Sequence, residues 1–509
     1  MTTIESIDPR TGEAVATVAE ATSSAAVASR CEAAARVAPA LEAAGRAARA
    51  TMLEAMAEAL EQRRGSLVAI AERETALGNA RLDGELTRSC FQFRFFAEVL
   101  RDGGYLEAII DHSGDSPMGP RPDLRRILRP LGPVAVFGAS NFPLAFSVPG
   151  GDTASALAAG CPVVVKAHDA HPATCELAAE ALLEGAREAG QPAEVIGLVF
   201  GEPAGVELVR HPAIQAVGFT GSLQGGRALA ELAAARPSPI PFYGELGALN
   251  AAAVCPAAAA ARGEQIGRGF AASFTLGAGQ FCTKPGLLLV PEGDPGDAVR
   301  DSLAAAVVEL PSAVMLSERI ARGFATGSAA LRQLAGVRVL AEGRASGGGG
   351  FLGRPLVLEA DAAALGGPLL EECFGPVIAL VRYGDTAELR ALLDRFSPAL
   401  TATIHADEDD EALARLLLAE LGARAGRVIW NGYPTGVSVA WAMHHGGPYP
   451  ATTDPLHTSV GATAIRRWMK PVCYQGVPEH LLPAELRDAP EPAHQVPRRV
   501  DGRVIVAAS

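Results

Sequence analysis

Aromatic residues are scarce in this sequence, at 5% of 509 residues, and charged residues make up only 20%. The chain has no block of five or more consecutive Lys or Arg residues, and its formal net charge is −13. An acidic surface without basic clusters is unsuited to binding nucleic acid or an anionic membrane. We therefore expect a small molecule as the ligand, and neither nucleic acid nor a membrane as a partner.

Patterns typical of disulfide scaffolds, zinc sites and membrane segments are also missing. The eight cysteines are scattered, without a C-x-x-C pair or the matching histidine spacing, so we expect reduced thiols and no metal. The N-terminal MTTIESIDPR has no basic stretch followed by an apolar core, and therefore predicts no secretory signal. The longest nearly uncharged run, 131–165, contains Asp152 and four prolines, which a membrane helix would not tolerate well. These features predict a cytoplasmic protein.

Hydrophobic residues make up 49% of the chain, enough for a large aliphatic core. The length suggests about three domains. Residues from about 25 to 106 show helical periodicity, whereas 114–129 is rich in Pro, Gly and Arg. The strand-like runs PVAVFG, CPVVVKA, VIGLVFG and IQAVGFTG then alternate with helical stretches, which predicts βαβ units and a doubly wound parallel sheet. Ligands bind such sheets beyond the carboxyl ends of the strands.

A second α/β stretch runs from about 245 to 445, with the short strands GLLLV, PLVLE, VIALV and RVIWNG. The tail after Pro478 is rich in proline and ends in RRVDGRVIV, which is typical of an extended arm. The predicted fold class is thus α/β, with a doubly wound cofactor domain (1–113 and 131–243) and an α/β catalytic domain (244–445). An oligomerisation arm with the C-terminal tail (114–130 and 446–509) completes it.

Three features carry possible chemistry on residue type and position alone. Cys282 lies in a small-residue turn just before a predicted strand, a suitable place for a nucleophile, although most cysteines are inert core residues. Glu245 in FYGELGALN ends a predicted strand, where a partly buried carboxylate can act as a base or simply form a salt bridge. GFTGSLQGG places Ser222 at a predicted helix N-cap, which can hold a phosphate or be an ordinary turn.

Six separated segments occur in the order and at the spacings of one family. They are ASNFP (139–143), VVVKAH (163–168), GFTGS (218–222), YGELG (243–247), GQFCTKPG (279–286) and EECFGPV (371–377). Together they resemble the signature segments of the NAD(P)-dependent aldehyde dehydrogenases. The run GPVAVFGASNFPLAFSVPGG and the closing HTSVGATAIRRWMKPVCYQGVP resemble the branch that includes 2-oxoglutarate semialdehyde (2,5-dioxopentanoate) dehydrogenases. One departure is Cys373, where the family usually has an aliphatic residue.

The resemblance implies roles for three catalytic residues. Cys282 would attack the aldehyde to give a thiohemiacetal, and the Asn141 side chain with the Cys282 backbone N–H would stabilise the oxyanion. After hydride transfer to the nicotinamide, Glu245 would activate the water that hydrolyses the thioester.

The resemblance also implies NAD or NADP as cofactor. The cofactor-binding candidates are Lys166, His168, Asp169, Gly218, Ser222, Glu372 and Phe374. Lys166 corresponds to the lysine that holds the adenosine ribose, Ser222 to a pyrophosphate contact, and Glu372 with Phe374 to the nicotinamide contacts. Asp169 favours NAD, because its carboxylate would bond the ribose 2′-hydroxyl and repel a 2′-phosphate.

For the substrate we expect a short aldehyde with a distal carboxylate, 2-oxoglutarate semialdehyde first. An acidic substrate needs a cation, and Arg94 in FQFRFFAEVLRDG is the predicted partner of its carboxylate, the alternative being a surface salt bridge. The arm of this family pairs with another subunit, so a homodimer or homotetramer is expected.

Two other functions remain open at this stage. The chain could be a catalytically silent binding or structural member of the family, which the presence of Asn141, Glu245 and Cys282 argues against. It could also be a CoA-acylating enzyme, in which CoA rather than water takes the acyl group, whereas Glu245 favours hydrolysis.

Overall fold

The computed structural model describes residues 2–506. Its α-helices in this range are α1 (Ser24–Ala43), α2 (Gly45–Gln62), α3 (Arg64–Thr75), α4 (Asn79–Asp102), α5 (Gly151–Ala159), α6 (Pro172–Glu188), α7 (Glu202–Arg210), α8 (Leu223–Ala234), α9 (Pro256–Thr275), α10 (Asp294–Val308), α11 (Glu318–Arg332), α12 (Thr386–Leu393) and α13 (Glu411–Gly422).

The strands of the first half of the chain are β1 (Thr3–Asp8), β2 (Glu13–Glu20), β3 (Ala108–Asp111), β4 (Gly114–Ser116), β5 (Gly119–Arg121), β6 (Leu124–Pro130), β7 (Val134–Phe137), β8 (Val163–Lys166), β9 (Ile196–Val199), β10 (Ala216–Gly221), β11 (Phe242–Leu246) and β12 (Asn250–Val254). Those of the second half are β13 (Pro285–Pro291), β14 (Ala313–Val314), β15 (Val337–Glu342), β16 (Leu352–Gly353), β17 (Leu356–Ala360), β18 (Val377–Tyr383), β19 (Ala399–His405), β20 (Ala425–Trp430), β21 (Met469–Gln475), β22 (Arg498–Val500) and β23 (Arg503–Ile505).

The first sheet has the strand order β11-β10-β7-β8-β9, and all of its neighbouring strands are parallel. This confirms the predicted doubly wound sheet, because four of its strands are the apolar runs recognised in the sequence. The sheet is buried, and Val163, Val164 and Val165 of β8 have no exposed surface. Since the strands are parallel, their carboxyl ends lie at one edge of the sheet. Asn141 follows β7 and Ser222 follows β10 at this edge.

The second sheet has the order β15-β17-β18-β13-β12-β19-β20. Its strands are parallel apart from the antiparallel edge strand β15, and helices cover it, as a mixed α/β sheet requires. Cys282 lies just before β13, which is an interior strand of this sheet between β18 and β12.

A third sheet, β21-β6-β3-β22-β23, joins the region after α4 to the C-terminal part of the chain. The predicted arm segment 114–130 forms the hairpin β4–β5 and then β6. Whether this sheet pairs with another subunit stays a prediction.

The predicted domain limits also stay a prediction, although two features of the fold lie across them. Strand β11 crosses the expected limit at 243/244 and pairs with β10 in the first sheet. Residues 462–468, which we expected in the arm, pack into the hydrophobic core around the first sheet. Trp468 is fully buried there and donates its indole N–H to Ser155 Oγ at 2.8 Å. Among the helices of residues 2–506, none is long and apolar enough to cross a membrane.

Candidate active site

The loop before Cys282 has an unusual backbone. Gly277, Ala278 and Gly279 have positive φ angles of 56°, 57° and 66° in succession. At Gly279, a Cβ atom would lie 2.4 Å from the backbone of Gly375, so only glycine lets the segment 371–377 contact this loop. The turn ends α9 and places Cys282 directly before β13.

Asn141 lies beside this loop, as the resemblance implied. Its side-chain Nδ2 donates to the Gln280 carbonyl at 2.9 Å, two residues before Cys282. An amide NH₂ group has two donor hydrogens, so one remains for an oxyanion. The segment is held by α4, because Glu85 accepts backbone hydrogen bonds from Leu144 at 2.8 Å and from Ala145 at 3.0 Å.

Asn250 supports the other side of Cys282, and the sequence analysis missed it. Its Nδ2 donates to the carbonyls of Cys282 at 2.8 Å and of Lys284 at 3.0 Å. Its Oδ1 accepts from the backbone N–H and the hydroxyl of Thr401, both at 3.0 Å. The signal available in the sequence was an asparagine at the start of an otherwise apolar strand.

Glu245 is buried, with 7% of its surface exposed, and its Oε2 has no hydrogen-bond partner among the described residues. Strand β11 is held at this point by a bridge between Glu245 and Thr452. Burial raises the pKa of Glu245 well above its ordinary value, Arg467 opposes the shift, and Asp152 adds to it. A carboxylate with a raised pKa and a free oxygen is suited to accept a proton from water.

The carboxylates of Glu245 and Glu372 affect the pKa of the Cys282 thiol. Burial raises its pKa to about 12, and Glu372 and Glu245 add to the shift, whereas Arg427 lowers it. In the free protein the thiol form is therefore favoured, so attack on an aldehyde needs a group that removes its proton.

Glu372 faces the same space from the second sheet. A Cβ atom at Gly247 would lie 2.0 Å from the Glu372 carboxylate, so this carboxylate packs against the backbone just after Glu245. Burial raises the pKa of Glu372 to about 7, and Lys284 opposes the shift. The buried ammonium of Lys284 holds the segment by donating to the carbonyls of Cys373 at 3.1 Å and Val377 at 2.8 Å. Phe374 is half-buried in the same segment.

The remaining cofactor candidates lie at the carboxyl edge of the first sheet. Lys166 ends β8, and its Nζ is paired with Asp169 Oδ1 at 2.8 Å. His168 is half-buried, and its Nδ1 accepts the backbone N–H of Ala170 at 3.1 Å. Ser222 is the N-cap of α8 and accepts the backbone N–H of Gly225 at 3.2 Å, as predicted.

Gly218 lies below that edge, in the interior of β10. A Cβ atom there would lie 2.8 Å from the carboxylate of Asp152 and 2.9 Å from the ring of Trp468.

Among residues 2–506, no group of three or more His, Cys, Asp or Glu side chains is placed to hold a metal ion.

The expectation that Arg94 reaches into the site is wrong. Its guanidinium lies 3.4 Å from Glu61 and 3.7 Å from Glu58 of α2, and 42% of its side chain is exposed. The face of α4 toward the site carries Glu85, Arg88 and Gln92, and Gln92 donates to the Ala145 carbonyl at 3.2 Å. Arg94 lies on the other side of the helix.

Two other arginines, Arg88 and Arg427, are candidates for the role expected of Arg94. Both contact the loop 434–437. Arg88 of α4 donates to the Val437 carbonyl, and its guanidinium lies 5.1 Å from the centre of the Phe146 ring. Arg427 of β20 donates to the carbonyls of Pro434 at 2.9 Å and Gly436 at 2.8 Å. The same loop contacts the residue after Cys282, because the backbone N–H of Gly436 donates to Thr283 Oγ1 at 3.1 Å.

Comparisons with known proteins identify the family of this chain. The model of the aldehyde dehydrogenase family matches residues 1–450. The chain belongs to the aldehyde dehydrogenase family. It is 47% identical over 507 residues to alpha-ketoglutaric semialdehyde dehydrogenase 2 of Azospirillum brasilense, covering 98% of this chain and 96% of the relative. It is 44% identical over 460 residues to alpha-ketoglutaric semialdehyde dehydrogenase of Acinetobacter baylyi, covering 89% of this chain and 86% of the relative.

Solved structures share the fold at lower identity. Aldehyde dehydrogenase C of Pseudomonas syringae, solved with NAD⁺ and octanal, has a TM-score of 0.78 at 22% identity, covering 93% of each chain. PnpE of Pseudomonas sp. WBC-3, solved with nicotinamide adenine dinucleotide, has a TM-score of 0.78 at 24% identity, covering 93% of this chain and 94% of PnpE. The aldehyde dehydrogenase described here therefore oxidises an aldehyde to the carboxylic acid with NAD⁺ or NADP⁺.

Proposed function

We propose that this aldehyde dehydrogenase oxidises 2-oxoglutarate semialdehyde, or a similar short aldehyde with a distal carboxylate, through Cys282. The names of the two relatives above support this substrate class. The observation that carries it is that the buried guanidinium groups of Arg88 and Arg427 both contact the loop 434–437, whose Gly436 bonds the residue after Cys282.

Both arginines have unused donors. The Nε and Nη2 atoms of Arg88 and the Nε atom of Arg427 are buried and have no hydrogen-bond partner among residues 2–506. Burial lowers the pKa of both guanidinium groups; Glu85 opposes the shift at Arg88, and the negative charge of a Cys282 thiolate would oppose it at both arginines. Buried cations with free N–H groups favour an anion, and a carboxylate matches the planar guanidinium fork. We assign the distal carboxylate of the substrate to these two arginines.

The cofactor-binding residues fit a dinucleotide. Lys166 and Asp169 would hold the adenosine ribose, near His168. The first turn of α8 after Ser222 leaves backbone N–H groups for the pyrophosphate. Glu372 and Phe374 would hold the nicotinamide ribose and ring. When bound, the nicotinamide accepts a hydride.

Cofactor choice depends on Asp169. Its carboxylate is paired with Lys166 but remains 44% exposed, so it can still bond a ribose hydroxyl. A 2′-phosphate near it would meet repulsion that solvent reduces. We infer a preference for NAD over NADP.

The chemical steps follow from the proposed roles. Cys282 Sγ bonds to the aldehyde carbon, and the oxyanion is stabilised by Asn141 Nδ2 and the backbone N–H of Cys282. After the hydride has left, Glu245 takes a proton from the water that attacks the thioester, and the Cys282 thiolate leaves.

The test compares two aldehydes of equal length, 5-oxopentanoate and pentanal. We expect Arg88→Gln and Arg427→Gln each to lower kcat/KM for 5-oxopentanoate by about 10- to 100-fold, as expected for charged hydrogen bonds worth about 1.5–3 kcal/mol. The value for pentanal should change by less than about threefold. Arg94→Gln is the matched control on the same helix and should leave both values unchanged. Equal losses for both aldehydes in the Arg88 and Arg427 variants would overturn the assignment.

We further propose that the protein is a cytoplasmic homodimer or homotetramer. Apolar side chains are exposed on the third sheet and the segments around it, including Met118 at 98%, Leu481 at 66% and Val504 at 63%. A partner subunit would cover them. Light scattering coupled to size-exclusion chromatography should give two or four chains, and a monomer at micromolar concentration would contradict this.

A further inference from the structure

His445 lies directly against the candidate nucleophile. Its Nε2 is 3.6 Å from Cys282 Sγ, and only 3% of the residue is exposed. The backbone fixes its position: its N–H donates to Thr458 Oγ1 at 2.8 Å, and its carbonyl accepts the Ser459 N–H at 3.0 Å. The imidazole is thus held at the thiol by main-chain bonds.

The second ring nitrogen has nothing to bond. His445 Nδ1 is buried and has no hydrogen-bond partner among the described residues. A neutral imidazole has one N–H donor and one acceptor nitrogen. The Cys282 thiol is therefore the one hydrogen-bond partner of the ring among residues 2–506, and the acceptor nitrogen can face it.

Two arginines oppose a positive charge on this ring. Burial lowers the pKa of His445 to about 3, and Arg427, Arg88 and His444 add to the shift. Without substrate, the thiol keeps its proton and the imidazole is neutral. Arg88 and Arg427 are the arginines to which the substrate carboxylate was assigned above. An anion bound there would offset their charge and make an imidazolium less unfavourable.

We infer that His445 is a catalytic residue that takes the Cys282 proton, and that binding of the substrate carboxylate at Arg88 and Arg427 promotes this transfer. As the Sγ–H bond breaks, the proton moves to His445 Nε2 and Sγ bonds to the carbonyl carbon. The π electron pair of the carbonyl moves to oxygen, where Asn141 stabilises it. The imidazolium later returns its proton to water. Glu245 is then needed only for the hydrolytic water. The inference rests on the proposed function.

The experiment is a stopped-flow measurement of the first turnover, followed by the absorbance of reduced cofactor. At saturating aldehyde and NAD⁺, the wild-type burst should be at least about tenfold faster with 5-oxopentanoate than with pentanal. His445→Gln should slow the 5-oxopentanoate burst by about 100-fold and remove most of this difference. His444→Gln is the matched control at the neighbouring position; because His444 is the smallest of the contributions to the His445 shift, it should change the burst by less than about threefold.

The pH profile separates proton transfer from a structural effect. The wild-type burst with 5-oxopentanoate should change little between pH 7 and 9, whereas in His445→Gln it should rise about tenfold per pH unit, as hydroxide replaces the imidazole. A pH-independent loss would mean that His445 only shapes the site, and an unchanged burst would also overturn the inference.

Two further results complete the test. If His445→Gln does not fold, equal saturating burst rates of wild-type enzyme for the two aldehydes refute the coupling, and a tenfold difference supports it. If wild-type enzyme gives no burst with either aldehyde, the proposed function itself fails, which is distinguishable from a failure of His445 alone.

Discussion

Asn250 offers the sharpest test of how the fold holds the nucleophile. Its side chain makes five hydrogen bonds: it donates to the carbonyls of Ala248, Cys282 and Lys284 and accepts from the two donors of Thr401. Each buried group left without a partner costs about 1–3 kcal/mol, but a water molecule can enter the space of the lost amide. We therefore expect Asn250→Ala to lower the free energy of unfolding by about 3 kcal/mol.

That loss can be read as a lower thermal midpoint. At about 2–4 °C per kcal/mol for a domain of this size, Asn250→Ala should lose about 6–12 °C in calorimetry. The burst of reduced cofactor should slow by about 10- to 100-fold, because small misplacements of a reacting group are costly. The affinity for NAD⁺ should not change.

Thr401→Val is the matched control, because it removes only one of the five bonds. It should lower the midpoint by about 2–4 °C, for about 1 kcal/mol, and keep the burst rate. If Asn250→Ala loses no more stability than Thr401→Val and keeps its burst rate, Asn250 does not position Cys282.

Three further substitutions test separate parts of the account. Glu245→Gln should keep the burst but slow steady-state turnover. In the wild type, steady-state turnover should rise as the pH passes the raised pKa of Glu245, because only the ionised carboxylate accepts a proton. Asp169→Asn should reduce the preference for NAD over NADP by about tenfold in kcat/KM, and a wild-type preference for NADP would refute the role of Asp169. Cys255→Ala should lose stability, about 1–3 kcal/mol by thermal unfolding, and keep full activity, because Cys255 is a buried core thiol.

Local sequence patterns were enough to predict the first sheet. Short apolar runs between helical segments predicted β7, β8, β9 and β10, and the structure confirms them as neighbours in a parallel sheet. The side chains that bond Cys282 and its neighbours could not be found this way. Asn250 and His445 come from other parts of the chain, and only tertiary packing brings them to Cys282.

The error at Arg94 has a simple physical reason. Helical periodicity separates Arg88 from Arg94 on α4, but it does not tell which face points to the site. That choice is made by tertiary contacts, since Glu58 and Glu61 of α2 attract Arg94 while Val437 binds Arg88. Both arginines were visible in the sequence, and only the partners of each distinguish them.

The central claim is that Cys282 carries the acyl group and water removes it with the help of Glu245. The most direct measurement is mass spectrometry of Glu245→Gln mixed with NAD⁺ and 2-oxoglutarate semialdehyde, without CoA. The account predicts a thioester on the peptide containing Cys282 and about one equivalent of reduced cofactor per active site in the burst. Acyl groups on another cysteine, or wild-type turnover that begins only when CoA is added, would contradict it.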